Sequence, residues 1–422
     1  MRQDRRNLPD DSDILLKDGR VIDPSQNLDA VRDVLIQDGC VTRVGPSITH
    51  SGDCCVVDVS DCIVTPGLVD LHAHLFHTAG NPDAWAGDFS IDPDAFSFRS
   101  GVTTMVDTGS AGWRNFDLFR TTVIDRVRTK VFALINIASY GMVTEMVEQW
   151  PADFSPEKCV AAASRHSDVV VGFKTAHYAH PDWLSVDSVL EAGSSAELPV
   201  MVDFGYFQKE RPYWQLVCEK LRAGDISTHC YRGPVPVIDE NGRVYDYLYY
   251  AREKGVLFDL GHGAGSFLFR NAVPAVAQGF PPDTISTDLH VLSMNRRMID
   301  MPTTMSKFLA MGMPVPEVIR RTTINPAAAI GRTEIGTLKT GVAADVAVWR
   351  IENGDFGYSD SQGGRLAGSE RFCCEATLRA GKVVWDLNAR FETDYERLPD
   401  DCGIRAGREF LTRPPEGYPL GS

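Results

Sequence analysis

The chain has 422 residues, 43% of them hydrophobic and 23% charged, a balance that fits a folded globular protein and excludes a disordered or fibrous one. A formal net charge of −15 repels a nucleic-acid backbone, so none is expected as partner. No apolar run reaches transmembrane length and the polar start MRQDRRNLPDD has no apolar core, so no membrane or export role is expected and the chain is read as cytoplasmic.

Residues 1–12 read as a disordered lead. From Asp13 to Ser60 the text is short β segments with turn signals, and the Asp-Gly steps at Asp18–Gly19 and Asp38–Gly39 favour tight hairpins. A matching set recurs at 336–351 (GTLKTGVAADVAVWRI) and 376–386 (ATLRAGKVVWD). Neither set can bury both its faces alone. Residues 13–61 and 332–390 are therefore expected to pair into one small β-sandwich drawn from both ends of the chain. Ten cysteines form no CxxC pair, and the adjacent pairs Cys54–Cys55 and Cys373–Cys374 suit a zinc knuckle poorly, so free thiols are expected.

Residues 62–331 alternate β-branched runs with helical stretches, the signature of a parallel sheet covered by helices. The opening run IVTPGLVDLHAHL at 63–75 is followed by runs at 102–108, 130–138, 169–176, 199–205, 225–231, 256–263 and 284–290. Eight strands are enough to close a (β/α)8 barrel, giving an α/β fold with the β-sandwich beside it. Helices are expected at 156–166 and 213–224, the latter ending in a capping glycine. The Asn241–Gly242 step within 232–247 reads as a hairpin over the barrel mouth, and residues 391–422 as a surface tail.

Polar chemistry collects at the C-terminal ends of these runs, where barrel active sites sit. His72 and His74 are two apart on a strand, so both imidazoles face one way and can take neighbouring positions on one metal ion; an ordinary pair of loop histidines is the bland alternative. Lys174, after VVVGF, is an expensive buried charge unless it is paired, reaches solvent, or has captured CO2 as a carbamate able to bridge two ions. His229 ends the sixth run and Asp288 the eighth. An aspartate there can bind an ion and accept a proton from water.

With those residues in place the chain resembles the amidohydrolase superfamily over nearly its whole length. PGLVDLHAHL, Lys174, His229 in STHCY and Asp288 in STDLH match its pattern, as do TINPAAAIG at 323–331 and GTLKTGVAADVAV after it. GDISTHCY, GHGAGSF and TISTDLH look most like its deacetylase or D-aminoacylase-like branch, whose members are often labelled dihydroorotases. The resemblance implies a hydrolase acting on a non-peptide amide or an ester of a small molecule, such as an N-acyl amino acid or acetyl ester. The alternatives are a cyclic-amide hydrolase and a non-catalytic scaffold on the same fold. It implies one or two divalent ions, zinc or else Mn2+, held by His72, His74, Lys174 as a carbamate formed with CO2, Asp203, His229 and Asp288. It also implies a homo-oligomer.

Asp288 is then the general base. Either His262 or His290 donates a hydrogen bond to substrate or to a metal ligand, or supports the ligands from behind. Asp203 departs from the pattern, because two-metal members end the fifth strand in histidine. The substitution makes the site less positive and leaves retention of the second ion open. Arg232, Arg296 and Arg297 are candidate clamps for a substrate carboxylate, with a solvated surface role as the alternative.

Overall fold

The computed structural model describes residues 13–50, 54–144, 146–398, 414 and 416–417. The expected lead at 1–12 and most of the expected tail lie outside the described residues. Two sheets account for the fold. The first takes β1 (Asp13–Asp23), β2 (Leu28–Gln37), β3 (Cys40–Gly45), β4 (Cys54–Asp58) and β5 (Ile63–Pro66) from the front of the chain. The second takes β6 (Leu68–Ala73), β7 (Val102–Gly112), β8 (Lys130–Asn136), β9 (Val170–Thr175), β10 (Val200–Val202), β11 (Ile226–Ser227) and β12 (Leu257–Phe258). The chain then returns to the first sheet with β13 (Val346–Ser359), β14 (Arg365–Arg379) and β15 (Lys382–Asp386).

The first sheet runs β15-β14-β13-β5-β1-β2-β3, with β4 also on β1. The two ends of the chain meet where β5 pairs antiparallel with β13, Val64 opposite Val348. Apolar residues from both ends, including Leu16, Val34, Val64, Val346, Val348 and Leu378, form its core. Asp38 and Gly39, both at positive φ, make the expected hairpin between β2 and β3. Asp18–Gly19 does not turn the chain. Asp18, at φ +62, sits in a register shift inside β1, where the strand changes partner from β4 to β5. A bulge uses the same left-handed backbone as a hairpin turn, so the dipeptide alone could not separate the two.

The run 63–75, expected as one barrel strand, is two. Ile63–Pro66 belongs to the first sheet, and at Gly67 the chain crosses to the barrel so closely that a Cβ would stand 2.3 Å from Thr103 Oγ1. Seven strands of the barrel are parallel and in chain order. The eighth run, 284–290, closes the ring without forming a regular strand: it bridges β12's extension at Asp259–Thr284 and β6 at Ala73–Leu289. Its backbone bonds include His262 N to Ser286 O at 3.2 Å and His74 N to Leu289 O at 3.0 Å. Side chains at its C-terminal half are thus fixed by polar contacts as much as by the ladder.

The helix Pro156–Arg165 starts where Ser155 accepts from Lys158 N, with proline at its first position. The stretch 213–224 is shorter than expected, one α-turn followed by a π-turn over Leu216–Lys220. The segment 323–331 packs Ala327 and Ile330 against Val69, Leu71, Leu134 and Met201 of the barrel strands. Trp349 of β13 donates to Thr65 Oγ1 at 3.0 Å and lies over Gly101, whose missing side chain makes room for the indole. The β13–β14 hairpin reaches the loop after β12, where Ser361 and Phe267 exchange backbone and hydroxyl hydrogen bonds. No helix among the described residues is long and apolar enough to cross a membrane.

Candidate metal centre

His72, His74 and Asp288 bring three ligand atoms within 4.8 Å of one another, all buried. His72 Nε2 and His74 Nε2 stand 3.6 and 3.2 Å from Asp288 Oδ1. The other nitrogen of each ring is tied down. His72 Nδ1 lies 3.0 Å from Thr228 Oγ1 and 3.4 Å from Asp259 Oδ2; His74 Nδ1 lies 3.0 Å from Ser110 Oγ. Burial pulls His72 down to about 3, so the imidazole is neutral and its lone pair is free for an ion. Burial opposes ionisation of Asp288, but His72, His290 and His74 outweigh it and hold the carboxyl well below the usual range.

The second half of the site stands at the ends of β9, β10 and β11. Asp203 Oδ2 is 3.4 Å from His229 Nε2, and Asp203 Oδ1 accepts from Arg232 Nη1 at 3.0 Å. Against burial, His229 and Arg232 keep the Asp203 carboxyl well below its ordinary range. His229 Nδ1 donates to Gly261 O at 2.7 Å. His72 and His229 rings lie 5.1 Å apart, so the two halves adjoin.

Lys174 is 1% exposed, and its Nζ reaches the Met201 thioether at 3.3 Å. Among the described residues no carboxylate forms an ion pair with it. Burial pushes the amine below its ordinary value, toward the neutral form that reacts with CO2. Gly109, at φ +86, leaves room for the lysine: a Cβ there would stand 2.8 Å from Lys174 Cγ. Three buried imidazoles, two carboxylates held low and a buried amine form a donor set that fits divalent ions.

Arg232 is engaged with Asp203, and Arg297 Nη1 donates to Ser361 O, so neither is a free carboxylate clamp. His262 is corrected as a substrate donor. Its Nδ1 pairs with Gly263 O at 2.9 Å and its Nε2 with Lys307 Nζ at 2.7 Å, so both ring nitrogens are spent. His290 is different. Its Nδ1 accepts from Ser293 N at 3.3 Å, which places the proton on Nε2, 3.8 Å from Asp288 Oδ2. That nitrogen is a donor and cannot be a ligand. Burial holds the ring down at about 4, hence neutral. Cys230 is buried and its thiol pushed well above its ordinary value, which disqualifies it as a nucleophile.

Several residues were missed by the sequence reading. Asp259 accepts from Thr284, Ser286 and Thr228 at 2.6–2.7 Å and holds His72 in place. Asp70 accepts from the backbone and hydroxyl of Thr287, fixing the loop that carries Asp288. The alternation that paired His72 with His74 extends back to Asp70, and an acid inside the apolar VLFDLGHG was as conspicuous as Lys174. Trp85 carried no such signal. Its ring lies 5.2 Å from His74 and 4.3 Å from His290, forming one wall of the site from the loop after β6.

Four similarities bear on this arrangement. An amidohydrolase family model matches residues 269–384. A deacetylase of Brucella anthropi is 34% identical over 351 residues, 80% of this chain and 84% of that protein. Among solved structures, an adenine deaminase superposes with a TM-score of 0.80 at 26% identity, over 89% of this chain and 100% of that one. A dihydroorotase does so with 0.76 at 30% identity, over 88% and 99%.

Proposed function

Since the chain belongs to the amidohydrolase family, we propose that it is a metal-dependent hydrolase of a carbon–nitrogen bond other than a peptide bond, removing an acyl or acetyl group from a small molecule. The observation that carries this reading is the buried group His72, His74 and Asp288, whose ligand atoms converge within 4.8 Å. Ester cleavage belongs to the same chemistry. Divalent ions, when bound in such a site, make water acidic and polarise a carbonyl.

The geometry supports one reading of the protein side of the reaction. Asp288, ionised and beside both histidines, takes the proton of the attacking water and passes it to the leaving nitrogen or oxygen. His290 offers Nε2–H toward the same place and steadies the carbonyl oxygen as charge develops on it. Asp259, an acceptor beside His72 Nδ1, leaves Nε2 of that ring free to bind, and Ser110 holds the His74 ring in place. Trp85 shields the reacting carbonyl from bulk water and sets the room for the acyl group.

Zinc with Mn2+ as the alternative, a carbamate on Lys174, a homo-oligomer and a cytoplasmic location belong to the same proposal. The buried amine of Lys174 supports the carbamate, and the thiols of Cys62, Cys159, Cys230 and Cys374, none in a disulfide, agree with a reducing compartment. Cyclic-amide hydrolysis is the second reading, favoured by the dihydroorotase superposition at 30% identity. One assay series decides: N-acetyl amino acids of both hands, acetyl esters and cyclic ureides, each with the metal-replete enzyme. Turnover of the first two classes is the expected result. Turnover of ureides alone favours the second reading, and no turnover of any class with metal bound overturns both.

A further inference from the structure

The imidazoles at the two halves of the site share one arrangement, with Nδ1 beside an oxygen that can accept its proton and Nε2 facing a carboxylate. His72, His74 and His229 follow it. So does a fourth, His177, three residues past Lys174 in the loop after β9. Its Nδ1 lies 2.8 Å from Glu148 Oε2, a side chain 2% exposed, whose Oε1 accepts from Asn136 Nδ2 at 3.1 Å. A carboxylate accepting from Nδ1–H selects the tautomer whose Nε2 can bind a metal, the usual support behind a metal-ligating histidine. His177 Nε2 stands 3.8 Å from Asp203 Oδ2, on which His229 Nε2 also converges at 3.4 Å.

The backbone sets His177 in the same class. It is left-handed at φ +55, as are His229 at +59 and Asp288 at +49. Left-handed non-glycine residues are uncommon, and they gather where side chains must be aimed. Asp203 meanwhile occupies the position where the family resemblance expects histidine. We propose that His177 supplies the imidazole that Asp203 does not, so that the outer ion is held by His177, Asp203, His229 and Lys174. The inference rests on the metal-hydrolase reading. Its competitor is an imidazolium paired with Glu148 and Asp203 and holding no metal.

The test counts metal on the full chain. Wild type, His177→Asn, Glu148→Gln and His180→Asn are loaded with zinc in chelator-free buffer and analysed by ICP-MS, with folding followed by circular dichroism. His180 is exposed and serves as the control. Two equivalents are expected for wild type and His180→Asn, and one for His177→Asn. Glu148→Gln should keep the fold and weaken the second ion by about 10–100-fold in a chelator titration, which also covers failure of His177→Asn to fold. Two equivalents at undiminished affinity in His177→Asn, or an unchanged second affinity in Glu148→Gln, overturns the assignment. One equivalent in wild type overturns it and leaves single-metal hydrolysis standing; none in wild type overturns the hydrolase reading itself.

Discussion

The two halves of the centre are built by different means. The half at His72, His74 and Asp288 draws on the first and last barrel segments, and its donors already converge within 4.8 Å. Its rings are held by side chains that belong to the barrel wall, Asp259, Thr228 and Ser110. The half at Lys174, Asp203 and His229 is looser. Its acid, Asp203, is shared with Arg232, and among the described residues the hydrogen-bond partner of its lysine is a thioether. The first half is organised by the fold itself, whereas on the proposed reading the second is completed by its metal and CO2.

The sharpest way to break this comparison is Asp288→Asn. Turnover should fall about 10²–10⁴-fold while inner metal remains bound, because the lost group moves the proton. Near-wild-type kcat in stopped assays would remove its role as base. Lys174→Ala comes next and strikes the other half. The variant should hold one equivalent of metal by ICP-MS, with the inner ion kept; retention of both would mean that no bridge is needed.

Asp259→Asn tests the support behind the first half and should weaken the inner ion by roughly 10–100-fold in chelator competition. An unchanged affinity would show that Thr228 suffices to orient His72. The smallest effect is on stability and concerns Lys307, buried against His262. Burial pulls its amine down to about 7, below the unfolded value near 10.4. Between those values the unfolded chain binds more protons than the folded one, so wild-type stability rises with pH across that window and the penalty is complete below it. Relative to Lys307→Met, wild type should therefore gain in Tm as pH goes from 7 to 10. A Tm difference independent of pH would place the amine's charge elsewhere.

Much of this was legible beforehand because the chemistry interrupts apolar strands. His72, His74, Lys174, His229 and Asp288 each break a run whose neighbours are buried, and a polar residue in such a place must have a use. The same argument would have reached Asp70 and Asp259. Residues on loops gave less, since burial cannot be inferred where no period exists. His177 and Trp85 depend on how the loops after β9 and β6 fold back, and Glu148 lies in a 3-10 turn that nothing in its neighbours announces. His262 misled for the opposite reason. Its flanking glycines signal close approach, but the approaching group is Lys307 and not a ligand.

The way the barrel closes has a consequence for how the protein comes to be assembled. The last segment joins the first through a few bridges and through Thr287 against Asp70, residues 217 apart in the chain. Contacts of such separation form late, because the intervening chain must be ordered before they repay its closure entropy. Asp288 rides on that final segment, so a nascent or partly folded chain presents His72 and His74 without their carboxylate. On the proposed reading, tight capture of an ion marks the end of folding, and metal in the medium should slow unfolding more than it speeds refolding.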